Sequence, residues 1–117
     1  MFCISIRPSC YAGEFTVLNE HGNRTAFGEG AHPDDIRWKL KNHFPQNLFD
    51  SEEEAIAAKK SARDIIARSD YAESIKRNYY FRYGDNSDEN IKEYITNLLA
   101  RVDASSVIHI DSVGVYQ

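Results

Sequence analysis

Cysteine is scarce in this chain. Its 117 residues contain only Cys3 and Cys10, without a C-x-x-C spacing, which excludes a disulfide framework and a thiolate zinc knuckle and leaves two free thiols as the expectation. The four histidines, His21, His32, His43 and His109, are scattered and form no H-E-x-x-H. No apolar run approaches the ~18 residues that cross a bilayer, which excludes a transmembrane helix and membrane partners of that kind. Met1 to Ile6 has neither a basic leader nor a long apolar core, so it reads as a strand rather than a secretion signal, and a reducing cytoplasm is expected. Net positive charge is also missing. At −4 overall, the chain lacks the field that sequence-independent nucleic-acid binding requires.

What is present fits one domain, 1–117. The chain is 42% apolar and 27% charged, the balance of a globular protein, and it shows no repeat, low-complexity tract or linker. Phe2, Ile4 and Ile6 alternate with Cys3, Ser5 and Arg7, a period-two strand pattern that Pro8 ends. Glu14 to Asn19 forms a second strand, with Phe15 and Val17 on one face. Glu20-His21-Gly22-Asn23 is the turn, and Thr25-Ala26-Phe27 returns as its partner.

Pro33, Asp34 and Asp35 open a helix with the stripe Ile36, Leu40 and Phe44, closed by Pro45. Trp38 lies about 200° around from Ile36, on the opposite face. Asn47-Leu48-Phe49 is a connector or edge strand. Ser51 and Glu54 form a capping box for a helix whose inward stripe is Ala55, Ala58, Ala62, Ile65 and Ile66, small enough for close approach to a neighbour. Ser69-Asp70 either restarts or bends this helix. Beyond Gly84-Asp85-Asn86, Ser87 caps a helix carrying Ile91, Tyr94, Ile95, Leu98, Leu99 and Val102. Val107 to Tyr116 is a closing strand whose phase shift suggests a bulge near Ser112-Val113-Gly114. The expected fold is α+β: an antiparallel sheet, made of an N-terminal meander plus the C-terminal strand, packed by two to three helices.

Catalytic signals are weak. His109 and Asp111 are two potential ligands on one strand, too few for a zinc site. Cys10 is the one candidate nucleophile, with His109 as a distant base, but no activating motif surrounds it. Asp34-Asp35 and Glu52-Glu53-Glu54 occupy first helical turns, where acids are favoured by the dipole. Gly28-Glu29-Gly30 fails as a phosphate loop because Pro33 stands where a third glycine belongs. Arg7-Pro8-Ser9 is at most a weak anion site. The sequence therefore implies no cofactor, no metal and no enzyme.

One segment stands out. Between Lys76 and Gly84, Tyr79, Tyr80, Phe81 and Tyr83 place four of the chain's fourteen aromatics within five positions, interleaved with Lys76, Arg77 and Arg82. π-Faces beside cations suit stacking and protein hot spots alike. As a strand, 79–83 would bury Tyr79, Phe81 and Tyr83 and turn Tyr80 and Arg82 outward; as a helix, the faces rearrange. The competing structural account makes 79–83 a core or edge strand that Trp38 covers. Charge is also uneven: residues 59–82 carry a local +4 and residues 83–117 a local −4, either two functional faces or a mixed solvated surface.

The expectation is a small non-enzymatic binding or inhibitor protein. Its contact residues would be Trp38, Lys76, Arg77, Tyr79, Tyr80, Arg82 and Tyr83, and its partner a host macromolecular complex. A phage or mobile-element protein that blocks a host defence complex fits that outline. The alternative is a homo-oligomer that sequesters a nucleotide, with Arg7, Arg77 and Arg82 on phosphate. A single-strand nucleic-acid binder ranks third.

Overall fold

Alternating apolar residues at the N-terminus become strand β1 (Phe2–Ile6), and it takes the central position in the fold. The computed structural model describes residues 1–6, 15–27, 31–78 and 88–113, with backbone only at 76–78 and 88. β2 (Phe15–Leu18), β3 (Arg24–Phe27) and β4 (Ser106–His109) complete a four-stranded sheet of order β3-β2-β1-β4. Every pairing is antiparallel. The N-terminal meander and the closing C-terminal strand are as expected.

The β2–β3 turn is built on Asn19. Its side-chain oxygen accepts the amides of His21 (2.9 Å) and Asn23 (3.0 Å), and its own amide donates to the Asn23 carbonyl at 3.0 Å. Gly22 completes the turn at φ 84°, a conformation in which a side chain meets steric cost.

Register decides which residues share a face. Ile4 pairs with Leu18 and Val107, so these three lie together. Cys3 pairs with Ile108 and Ser5 with Val17, on the other side. Both faces are buried, which the alternation of β1 alone does not reveal. The first face packs against two helices, α2 (Glu52–Ala67) and α4 (Asp88–Asp103). There Ile4, Ile6 and Leu18 meet Ala55, Ala58, Ala62, Ile66, Leu98 and Val102. The second face, with Cys3, Val17 and Phe27, is covered by Ile36 and Leu40 of helix α1 (Pro33–Asn42), with Leu48, Ile110 and Val113. The result is three layers, helices on either side of one sheet.

Local chemistry explains the element ends. Ser51 Oγ accepts the Glu54 amide at 3.1 Å, as a capping box requires. Glu54 reaches back one residue further than expected, taking the Asp50 amide at 3.2 Å. Arg68 leaves the helical region (φ −74°, ψ 149°), so the chain restarts as a separate helix, α3 (Ser69–Asn78), packed on α2 and α4. That division brings the α-helices among the described residues to four. Asn47-Leu48-Phe49 contributes a single bridge: Phe2 and Phe49 exchange two backbone hydrogen bonds of 2.8 Å.

The closing strand expected over Val107 to Tyr116 is Ser106–His109 among the described residues, and Gly114 to Tyr116 lie outside them. It ends at His109, whose Nδ1 accepts the Asp111 amide (3.1 Å) and caps a 3-10 turn, Ile110–Ser112. This turn, rather than a bulge, produces the shift in apolar phase up to Val113. It lets Ile110 and Val113 join the second core face.

Candidate functional site

Helix α1 carries the largest exposed aromatic side chain of the described residues. Its inward stripe, Ile36 and Leu40, is set by four-residue spacing, which turns Trp38 away from the sheet. Trp38 is 56% exposed. The expected opposite-face placement is thus observed, and among the described residues its one aromatic neighbour is His43, edge to face with ring centroids 5.0 Å apart. The His43 amide donates to the Lys39 carbonyl (2.7 Å) and fixes the ring just past the helix end. Asn42 Nδ2 donates to the Trp38 carbonyl at 2.8 Å.

Charges frame this indole. Asp34 and Asp35 lie one turn before Trp38, Lys41 and Asn42 one turn after, and Lys39 beside it. The N-terminal end is capped by His32, whose Nδ1 accepts the Asp34 amide at 3.1 Å. Arg37 is structural: it pairs with Asp34 and donates to the Val113 carbonyl at 3.0 Å, tying α1 to the 3-10 turn. Asp35, Lys39 and Lys41 are exposed and make no ion pair among the described residues. An exposed aromatic centre with a polar, charged rim is the anatomy of a protein contact patch.

Of the sequence-derived site, the described residues Trp38, Lys76 and Arg77 fall in two different layers. Lys76 and Arg77 occupy, by backbone, the last turn of α3, which packs on the α2–α4 layer. Trp38 belongs to the helix across the sheet from that layer. Tyr79, Tyr80, Arg82 and Tyr83 lie outside the described residues, and with them the choice between helix and strand for 79–83. Sequence reasoning passed over Asp35, Lys39, Lys41 and His43 as neighbours of Trp38. Their spacings of three, one, three and five residues from it were the available signal.

Among the described residues, the two charge regions touch at the Arg63–Asp103 ion pair. Arg63 Nε donates to the Asp103 carboxylate at 2.6 Å, which holds the guanidinium above its ordinary pKa. Lys59 Nζ donates to the carbonyls of Ser105 (2.8 Å) and Asp103 (3.4 Å), at the C-terminal end of α4 where cations are favoured. These two basic residues fasten α2 to α4.

Other chemistry is thin among the described residues. Cys3 is a free, fully buried thiol, and burial pushes its pKa up to about 12, away from nucleophilic character. Cys10, Arg7-Pro8-Ser9 and Gly28-Glu29-Gly30 lie outside the described residues. His109 and Asp111 serve the 3-10 cap, and no group of three or more metal-ligating side chains occurs among the described residues. One groove of about 350 Å³ runs between Arg68 and Ser69 and the Lys92–Thr96 turn of α4, over Ile66, Ile91 and Ile95. Another, of about 580 Å³, lies between Glu20-His21 and residues 54–61 of α2, where Glu54 and Ser61 line it. No described helix is long and apolar enough to cross a membrane. Comparison with protein-family models, with curated proteins and with solved structures finds no match in any of the three.

Proposed function

We propose that this chain is a small non-enzymatic protein-binding domain that docks its partner through the outer face of α1, centred on Trp38. The observation that carries this reading is the 56% exposure of a tryptophan at the middle of a helix anchored from behind by Ile36 and Leu40. Tryptophan is the residue type most enriched at energetic hot spots. Its ring is steadied by His43, so little side-chain freedom is lost on docking. The polar rim of Asp35, Lys39, Lys41 and Asn42 supplies register and specificity.

A non-catalytic role accords with the inert, buried Cys3 and with acids and histidines that act as helix caps and ion-pair partners. The buried free thiol also accords with a reducing cytoplasm. Lys76 and Arg77 belong to a different layer, so they are secondary contacts in this reading.

Affinity capture with purified protein tests the reading. Trp38→Ala should weaken the captured interaction by roughly 30-fold or more, equivalent to the ~2 kcal/mol that marks a hot spot. Lys60→Ala, on the exposed side of α2, should leave it unchanged. Equal capture by the Trp38→Ala variant would remove α1 from the account.

A further inference from the structure

The outer face of α1 is complementary to itself. Acidic Asp35 lies three residues before Trp38 and basic Lys41 three residues after, one on each side of the indole. Both are exposed, and neither forms an ion pair among the described residues. A two-fold axis through the level of Trp38, perpendicular to the helix, sets a second α1 antiparallel to the first. Position 38 then meets position 38, and each Asp35 stands level with the Lys41 of the other copy. This is the residue-to-residue reciprocity of an isologous contact. Lys39 adds positive charge on the same half of the helix as Lys41, so the second copy offers two cations to each acidic end.

We infer that the partner chemistry encoded on this face is a second copy of this chain, paired as an antiparallel α1–α1 dimer with the two Trp38 rings at the centre and two Asp35–Lys41 ion pairs flanking them. The inference rests on the reading of α1 as a protein-contact face. Three features carry it together: an exposed aromatic at the pseudo-centre of the helix, opposite charges at equal spacing on either side, and no intramolecular partner for those charges among the described residues. The parallel arrangement juxtaposes Asp35 with Asp35 and Lys41 with Lys41, so charge selects the antiparallel one. A ten-residue helix gives a contact below the ~1,200 Å² of standard interfaces, which makes the dimer a concentration-dependent, rapidly exchanging one. The pairing is also salt-sensitive, because its ion pairs lie at an exposed rim.

Sedimentation velocity over a range of protein concentrations reads the outcome. The wild-type chain should shift from monomer toward dimer as concentration rises, and Trp38→Ala should stay monomeric. Asp35→Lys and Lys41→Asp should each stay monomeric alone, since each places like charges opposite one another. Mixing those two variants should restore a dimer. In the mixed pair one copy carries lysine at both positions and the other aspartate at both, so every facing pair is again of opposite sign. That mixture guards against misfolding as the cause of the single-variant results. A wild type monomeric at every concentration, a dimer that survives Trp38→Ala, or a mixture that fails to associate would each overturn the inference. A monomeric wild type whose Trp38→Ala variant still loses its captured partner would overturn self-pairing while leaving the protein-binding reading intact.

Discussion

Gly22→Ala is a sharp probe of how the β2–β3 turn meets helix α2. The glycine sits at φ 84°, where an L side chain costs roughly 1–2 kcal/mol in backbone strain. A β-carbon there would also stand 3.1 Å from Ile66 Cγ1 and 3.4 Å from Cδ1. Ile66 is fully buried against the sheet and has little room to yield, so overpacking adds about 1 kcal/mol or more. The combined loss is about 2–4 kcal/mol. For a chain of this length, 1 kcal/mol corresponds to about 4 °C in Tm, so the variant should melt roughly 8–16 °C lower. Thermal and urea unfolding followed by circular dichroism measure this. In an Ile66→Ala background the steric part disappears, and Gly22→Ala should cost only the backbone part. The two substitutions are thus coupled by more than the ~0.5 kcal/mol expected of independent sites. A Gly22→Ala protein that melts with the wild type, or an equal cost in both backgrounds, would refute the packing described for this turn.

Two further outcomes test the layers themselves. Cys3 has a folded-state pKa of about 12 against an ordinary value of 9.0, raised chiefly by burial. A raised value favours the neutral thiol in the fold, so its contribution is intact below pH 9 and is lost as pH climbs from 9 toward 12. At about pH 10 the linkage amounts to a loss of about 1 kcal/mol. Urea melts should therefore show a steeper alkaline decline for the wild type than for Cys3→Ala, and parallel declines would contradict the burial. Ala62→Leu inserts volume where α2 lies on Ile4 and Leu18, and should destabilise by about 1–3 kcal/mol in the same melts. A neutral effect there would mean that the helix does not approach the sheet as closely as described.

Much of this architecture was legible in the sequence because its signals are local. Period-two alternation in Phe2–Ile6, the Ser51–Glu54 cap and the long apolar stripe of α4 each report on their own element. What escaped was information carried between elements. Val17-Leu18 and Val107-Ile108 are adjacent apolar pairs, the mark of a sheet buried on both faces, yet each is too short to separate from a one-faced strand by pattern alone. The end of β4 turns on a histidine side chain capping its own chain two residues on, a contact that apolar phase records only as a slip. For the site, helical periodicity placed Trp38 opposite Ile36 but did not decide between a second element covering it and an exposed ring. It could not show that α3 and α1 lie in different layers, because that depends on where α2 and α4 pack. Asn47 is a similar case: its side chain is almost wholly buried, its Oδ1 has no partner among the described residues, and nothing in a Pro-Gln-Asn run announces it.

Trp38 is the chain's one tryptophan, so its fluorescence reports on the proposed contact face without labelling. The most direct measurement is its emission and its quenching by acrylamide, in dilute free protein and in the presence of bound protein, whether a captured partner or excess of the same chain. The account predicts a water-exposed spectrum with ready quenching in the free state, and a shift to shorter wavelength with loss of quenching on binding. Unchanged emission and quenching in a verified complex would contradict the claim that α1 is the docking face.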